Sequence, residues 1–137
     1  RNNGRIEITK FISRGGTANL DNVPVIRISE IYLNRAEAYA RLMMEDEARE
    51  DVNKIRVRAG LAAVDASVSG QALIDEILLQ RRLELAFEGH RFFDMKRLGM
   101  DIIKPSGNVG FEEFRILARI PITEIQRNSN LRQNFGY

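Results

Sequence analysis

Residues Val25–Leu61 read VIRISEIYLNRAEAYARLMMEDEAREDVNKIRVRAGL, and between Pro24 and Gly60 neither proline nor glycine interrupts the run. A stretch of that length without a backbone breaker reads as helix. Ile28, Tyr32, Arg35, Ala36, Tyr39 and Met43 recur at three- and four-residue steps. That periodicity predicts an amphipathic helix from about Val25 to Met43 with those side chains as its inner stripe. Pro24 lies just ahead of it, near the first turn, where a helix tolerates proline. A second stripe, Ala48, Val52, Ile55 and Ala59, follows the acidic cluster Glu45-Asp46-Glu47. Negative charge there suits the positive end of a helix dipole. Gly60 supplies a left-handed cap and Leu61 the apolar residue that usually follows one. With only two or three residues between them, the two helices are expected to run antiparallel as an αα-hairpin.

Outward from the hairpin the signals are weaker. The spacing of Tyr32, Ala36, Tyr39 and Ala48 resembles a tetratricopeptide unit, although any tight helical hairpin needs small residues where backbones approach. Residues Ala62–Gly70 read as a small, flexible linker, with Ser69 placed to cap a third helix from about Gly70 to Glu88. Gly89 costs about 1 kcal/mol relative to alanine inside a helix, so a kink or break is expected there, before a short helix from His90 to Leu98 that Gly99 closes. Toward the N-terminus, Arg5–Phe11 (RIEITKF) alternates apolar and polar residues, the pattern of a short strand. Residues Phe114–Ile120 (FRILARI) read as a second strand or extended segment that could pair with it. Thr123 and Gln126 match a capping box for a one-turn helix, and NSNLRQNFGY is too polar for regular structure. The expected fold is mainly α: a helical hairpin with tetratricopeptide-like packing, a kinked third helix, short terminal strands and an irregular C-terminal tail. It reads as a single domain, with an extended segment over 1–24, a helical core over 25–99 and a wrapping tail over 100–137.

Composition narrows the function. Hydrophobic residues at 44% and charged residues at 29% fit a globular domain and exclude a disordered chain. The 21 basic and 19 acidic side chains leave +2 and alternate along the chain, so no cluster is available to track nucleic-acid phosphates. There is no cysteine and a single histidine, His90, which excludes disulfides and thiolate metal sites and leaves no metal or other cofactor implied. No apolar run approaches the roughly 20 residues that span a bilayer.

The stretch LLQRRLELAFEGHRFFDMKRLG, Leu78–Gly99, interleaves charges with an apolar, helix-forming run. Arg81, Glu84, Glu88 and Arg91 follow 3, 4, 3 spacing, which on one continuous helix sets them on one face as a ladder of opposite charges. A catalytic reading makes Glu84 and Glu88 an acid–base pair, as in glycoside hydrolases. The structural reading is the stronger, because each carboxylate has an arginine in reach that keeps it ionised, whereas a general acid needs its pKa raised. Phe92 and Phe93 are adjacent, so one is expected inward and the other free for a partner or ligand. His90, next to Gly89, suits a helix-end hydrogen bond. Tyr32 and Tyr39 fit the core period. The tail amides Gln126, Asn128, Asn130, Gln133 and Asn134 suit either sugar hydroxyls or backbone groups of an irregular segment.

Four segments in order resemble the SusD/RagB nutrient-binding proteins of the Bacteroidetes outer membrane. These are VPVIRISEIYLNRAEAYA (Val23–Ala40), VNKIRVRAGL (Val52–Leu61), RRLELAFEGHRFFDMKRLG (Arg81–Gly99) and the closing IPITEIQRNSNLRQNFGY (Ile120–Tyr137). Departures are Gln80 where the family has Glu, Leu98 where it has Trp, and Ser129 and Phe135 where it has Pro. The resemblance implies a noncatalytic glycan-binding lipoprotein on the cell surface, partnered by a TonB-dependent outer-membrane transporter and an oligosaccharide or polysaccharide. It implies that this chain is a soluble C-terminal portion, the N-terminal part being absent. No ligand-binding residue is singled out. Apolar faces left uncovered in such a portion favour self-association. The alternative is a protein-interaction scaffold of tetratricopeptide type.

Overall fold

The computed structural model describes residues 8, 10 and 24–137. The expected strand at Arg5–Phe11 lies outside the described residues. The chain forms two compact units that divide at Ile77/Leu78, within the third helix, and each is described by itself.

In the first unit, α1 spans Ile28–Arg41 and α2 spans Glu45–Arg58, leaving only Leu42–Met44 to reverse the chain. The hairpin core is Leu33, Ala36 and Ala40 from α1, Ala48, Val52 and Ile55 from α2, and Leu73 and Ile77 from the third helix, with Tyr32 and Tyr39 packed at its edge. Three alanines among those side chains leave room for close helix approach. The stripe expected on α2 is confirmed at Ala48, Val52 and Ile55, and Ala59 is exposed. On α1 the inner face is instead Ser29, Leu33, Ala36, Glu37 and Ala40, while Ile28, Arg35 and Met43 face solvent. The expected stripe holds at Ala36, Tyr32 and Tyr39 and fails at Ile28, Arg35 and Met43, because α1 carries apolar residues on both sides. The helix also starts three residues later than Val25, behind Arg27 as N-cap.

Both hairpin helices end in a paired-carbonyl cap. At Gly60 (φ +78), Leu61 N donates to Arg56 O at 2.9 Å and Gly60 N to Val57 O at 3.0 Å, as the glycine signalled. At the end of α1 the same role falls to Met43 (φ 63), with Met44 N donating to Tyr39 O at 2.9 Å. Residues 62–69, expected to be flexible, are pinned. Val64 N donates to Asn53 Oδ1 at 2.8 Å, Arg49 Nη2 to Val68 O at 2.9 Å, and Gly70 N to Glu45 Oε1 at 2.7 Å.

The third helix, α3, spans Gly70–Glu84 and stops short of the expected Glu88. Phe87 (φ 66) and Gly89 (φ 82) both take left-handed backbone, so the break precedes the glycine. In the second unit, α4 follows at His90–Arg97, closed by Gly99 (φ 66) with Met100 N donating to Met95 O at 2.9 Å. One isolated antiparallel bridge joins Ile102 to Val109. No strand is found among the described residues. Phe114–Ile116 is a 3-10 turn, a correction of the expected terminal strand, and Leu117 beyond it is extended. Residues 117–120 are hydrogen-bonded by tail side chains in place of a neighbouring strand. Tyr137 Oη donates to Leu117 O at 2.8 Å, Asn134 Nδ2 to Ala118 O at 2.6 Å, and Gln133 Nε2 to Ile120 O at 2.9 Å. A last helix, α5, spans Ile122–Arg127, behind Pro121 and with no side-chain cap, so the Thr123/Gln126 capping box does not form. Among the described residues no helix is long and apolar enough to cross a membrane.

Candidate functional site

The segment richest in chemistry, Arg81–Gly99, is built differently from its sequence period. Arg81 and Glu84 belong to α3, Glu88 to the turn and Arg91 to α4, so the four do not share one helical face. The single-helix geometry expected for the ladder is corrected by the break at Phe87. What the break brings together is Arg81 and Asp94. Arg81 Nε donates to both carboxylate oxygens at 2.9 and 2.8 Å, and the two side chains are only 8% and 7% exposed. Arg97, more exposed, donates from Nε to Asp94 Oδ1 at 3.0 Å. Asp94 is therefore a buried acceptor for two guanidinium groups, a pairing that fixes a turn.

A second charged centre lies across the α1–α2 hairpin. Arg35 reaches Asp51 with Nε at 2.6 Å and Nη2 at 2.9 Å, while Lys54 Nζ donates to the same carboxylate at 3.1 Å. The Arg35 hydrogen bonds hold the buried Asp51 carboxyl below its usual value, against the opposing effect of burial. Lys54 is raised by its hydrogen bonds to Glu50 and Asp51. The Arg35 guanidinium lies 5.6 Å from the Tyr32 ring centre and 5.7 Å from that of Tyr39, and Lys54 Nζ lies 4.8 Å over Tyr32. The two tyrosines thus serve as core edge and as cation partners, a use of the rings that leaves less of their faces for a sugar.

The exposed aromatics are elsewhere. Phe92 and Phe93, of which one was expected inward, are 41% and 67% exposed and meet edge to face at 5.5 Å. Phe87, on the strained turn, is 68% exposed. A shallow groove of about 530 Å³ is lined by Gly99, Asp101, Gly110, Phe111, Glu112 and Glu113. Asp101 and Glu113 already accept backbone hydrogen bonds from Phe111 and Gly110, at 2.8 and 2.9 Å. Tail amides Gln133, Asn134 and Asn128 likewise serve backbone groups. Among the described residues no group of three His, Asp or Glu side chains is placed to hold a metal ion.

The pairs Arg35–Asp51, Arg56–Glu76 and Arg81–Asp94 each tie one helix to another. The whole chain, residues 1–137, matches the model of the SusD family. It belongs to that family. It is 31% identical to the starch-binding protein SusD of Bacteroides thetaiotaomicron, over 85% of this chain and 22% of that protein. It is 34% identical to SusD-like protein P2 of Formosa agariphila, over 97% of this chain and 27% of that one. Among solved structures, a putative sugar binding protein from Bacteroides vulgatus superposes with a TM-score of 0.78 at 32% identity, over 90% of this chain and 31% of that chain. The chain therefore spans about a quarter of the length of the curated relatives it matches.

Proposed function

We propose that the chain is the structural C-terminal part of a noncatalytic glycan-binding component of a TonB-dependent uptake system, held at the outer-membrane surface by a lipid anchor elsewhere in the polypeptide. The observation that carries this reading is the family match over all 137 residues, with a starch-binding protein among the relatives. The pairing of Arg81 with Asp94 and of Arg35 with Asp51 supports a framework role for these residues. A glycan array comparing this chain with a polypeptide extended to the length of the relatives tests it. Retention by the extended polypeptide alone is the expected result. Equal failure of both would move the function to partner docking. That second reading, a protein-interaction scaffold, is favoured by the tight α1–α2 hairpin with Tyr32 and Tyr39 at its edge.

A further inference from the structure

The alternation of opposite charges along the chain fails once, at its C-terminal end. Residues 114–137 hold four arginines and one acid, Glu124, a net +3 in a chain whose total is +2. Arg127 meets Glu124 at 3.6 Å on side chains that are both well exposed. Arg119 and Arg132 are exposed and take part in no ion pair among the described residues. Apolar side chains interleave with them and are left equally unburied. Ile122 is 53% exposed, and Phe135, at 92%, is the most exposed large apolar residue among those described. Phe135 stands where the family resemblance has proline, so this ring is a feature of the present chain. Side-chain hydrogen bonds bring the two segments together. Gln133 exchanges two bonds with the backbone of Ile120, both of 2.9 Å, and Asn134 Nδ2 donates to Ala118 O at 2.6 Å. Arg119 lies between the two residues so held, while Arg132 and Phe135 flank the two that hold them.

We infer that this surface rests on the anionic headgroups of a lipid bilayer, with Phe135 entering the interface and Arg119 and Arg132 bonding lipid phosphate. The inference rests on the proposed function only for the presence of a membrane nearby. Charge complementarity sets the sign of the partner, and the backbone sets its class. The carbonyls of Leu117, Ala118 and Ile120 already accept hydrogen bonds from the tail, and α5 has only six residues. Neither a free strand edge nor a long helix face is therefore offered to a protein partner. Two unpaired arginines are too few to track the phosphates of a nucleic acid. A fluid interface needs no matching relief. It asks for an exposed ring beside cations whose apolar stems lie along the acyl boundary while their planar heads pair with phosphate.

The chain has no tryptophan, so Phe135→Trp supplies a single fluorophore at the proposed point of entry. With vesicles of phosphatidylcholine and phosphatidylglycerol its emission is expected to move to the blue and to be quenched by brominated acyl chains. Vesicles of phosphatidylcholine alone, and inorganic phosphate without vesicles, should leave it unchanged. Adding Arg119→Gln with Arg132→Gln should weaken vesicle binding about fivefold for each arginine, roughly 25-fold for both. Arg82→Gln with Lys104→Gln removes as much charge from exposed positions outside the tail and should weaken it far less. All four positions are exposed, so the thermal melt should not change. In the extended polypeptide, made without its lipid anchor, the Arg119 and Arg132 changes are read by vesicle co-sedimentation and should cost as much. No blue shift, an equal shift with neutral vesicles, a shift produced by phosphate alone, equal weakening by the two double variants, or no effect in the extended polypeptide would overturn the inference. Glycan retention is indifferent to each of these outcomes, so failure here leaves the proposed function standing, and loss of glycan retention would leave the vesicle result in place.

Discussion

Replacing Asp94 with alanine leaves the Arg81 guanidinium, on a side chain 8% exposed, without the carboxylate that accepts both of its Nε contacts. Removing one partner of a buried ion pair costs about 3–5 kcal/mol, mostly the cost of a charge left uncompensated away from water. Arg97 contacts the same carboxylate from a side chain that is 42% exposed, so Arg97→Ala should cost under about 1 kcal/mol. The reciprocal change, Arg81→Met together with Asp94→Leu, removes both charges and should recover most of the loss, since an apolar pair of similar volume is often as stable as the ions. Urea unfolding followed by far-ultraviolet circular dichroism measures all three against the unaltered chain, with a midpoint shift at constant slope read as stability. Asp94→Ala costing no more than Arg97→Ala, or a double variant no better than Asp94→Ala, would refute the assignment of this pair as the clasp of the α3–α4 turn.

Met43→Gly should stabilise the hairpin by roughly 1 kcal/mol, because a left-handed residue with a Cβ is strained, whereas Gly60→Ala should cost about as much. An added Cβ at Gly60 meets nothing within 4 Å, so strain alone is read in its thermal melt. Asp51 titrates below its usual 3.8 in the folded chain, so its contribution is complete above that value and is lost as pH falls through the depressed folded value. Asp51→Asn should remove that acid-side slope from a pH series of urea unfolding curves. Phe93→Ser should weaken self-association of the isolated chain at least about tenfold, measured by sedimentation, since Phe93 is 67% exposed and its burial would drive any dimer there.

The parts of the fold legible in the sequence are those set by local chemistry. The α2 stripe and the Gly60 cap follow from helical period and from glycine's freedom at positive φ. The inner face of α1 was only partly legible, at Tyr32, Ala36 and Tyr39, because Ile28, Ile31 and Leu42 make its outer side apolar as well. The end of α3 was misplaced because Leu85 and Ala86 favour helix, and the break that Phe87 accepts answers to the Arg81–Asp94 contact thirteen residues apart. No helical spacing rule reaches across such a turn. Residues 117–120 read as part of a strand in the sequence, yet their carbonyl partners include the side chains of Gln133, Asn134 and Tyr137 in place of a neighbouring strand. For the candidate site, helical period placed Arg81, Glu84, Glu88 and Arg91 on one continuous helix, and the break at Phe87 instead brings Arg81 to Asp94.

The central claim, noncatalytic glycan capture, is tested most directly by incubating the extended polypeptide with starch and with mixed polysaccharides while following retention and reducing ends together. Retention with no increase in reducing ends is the predicted result. Reducing ends that accumulate and are lost on Glu88→Gln, or no retention of any glycan, would contradict it.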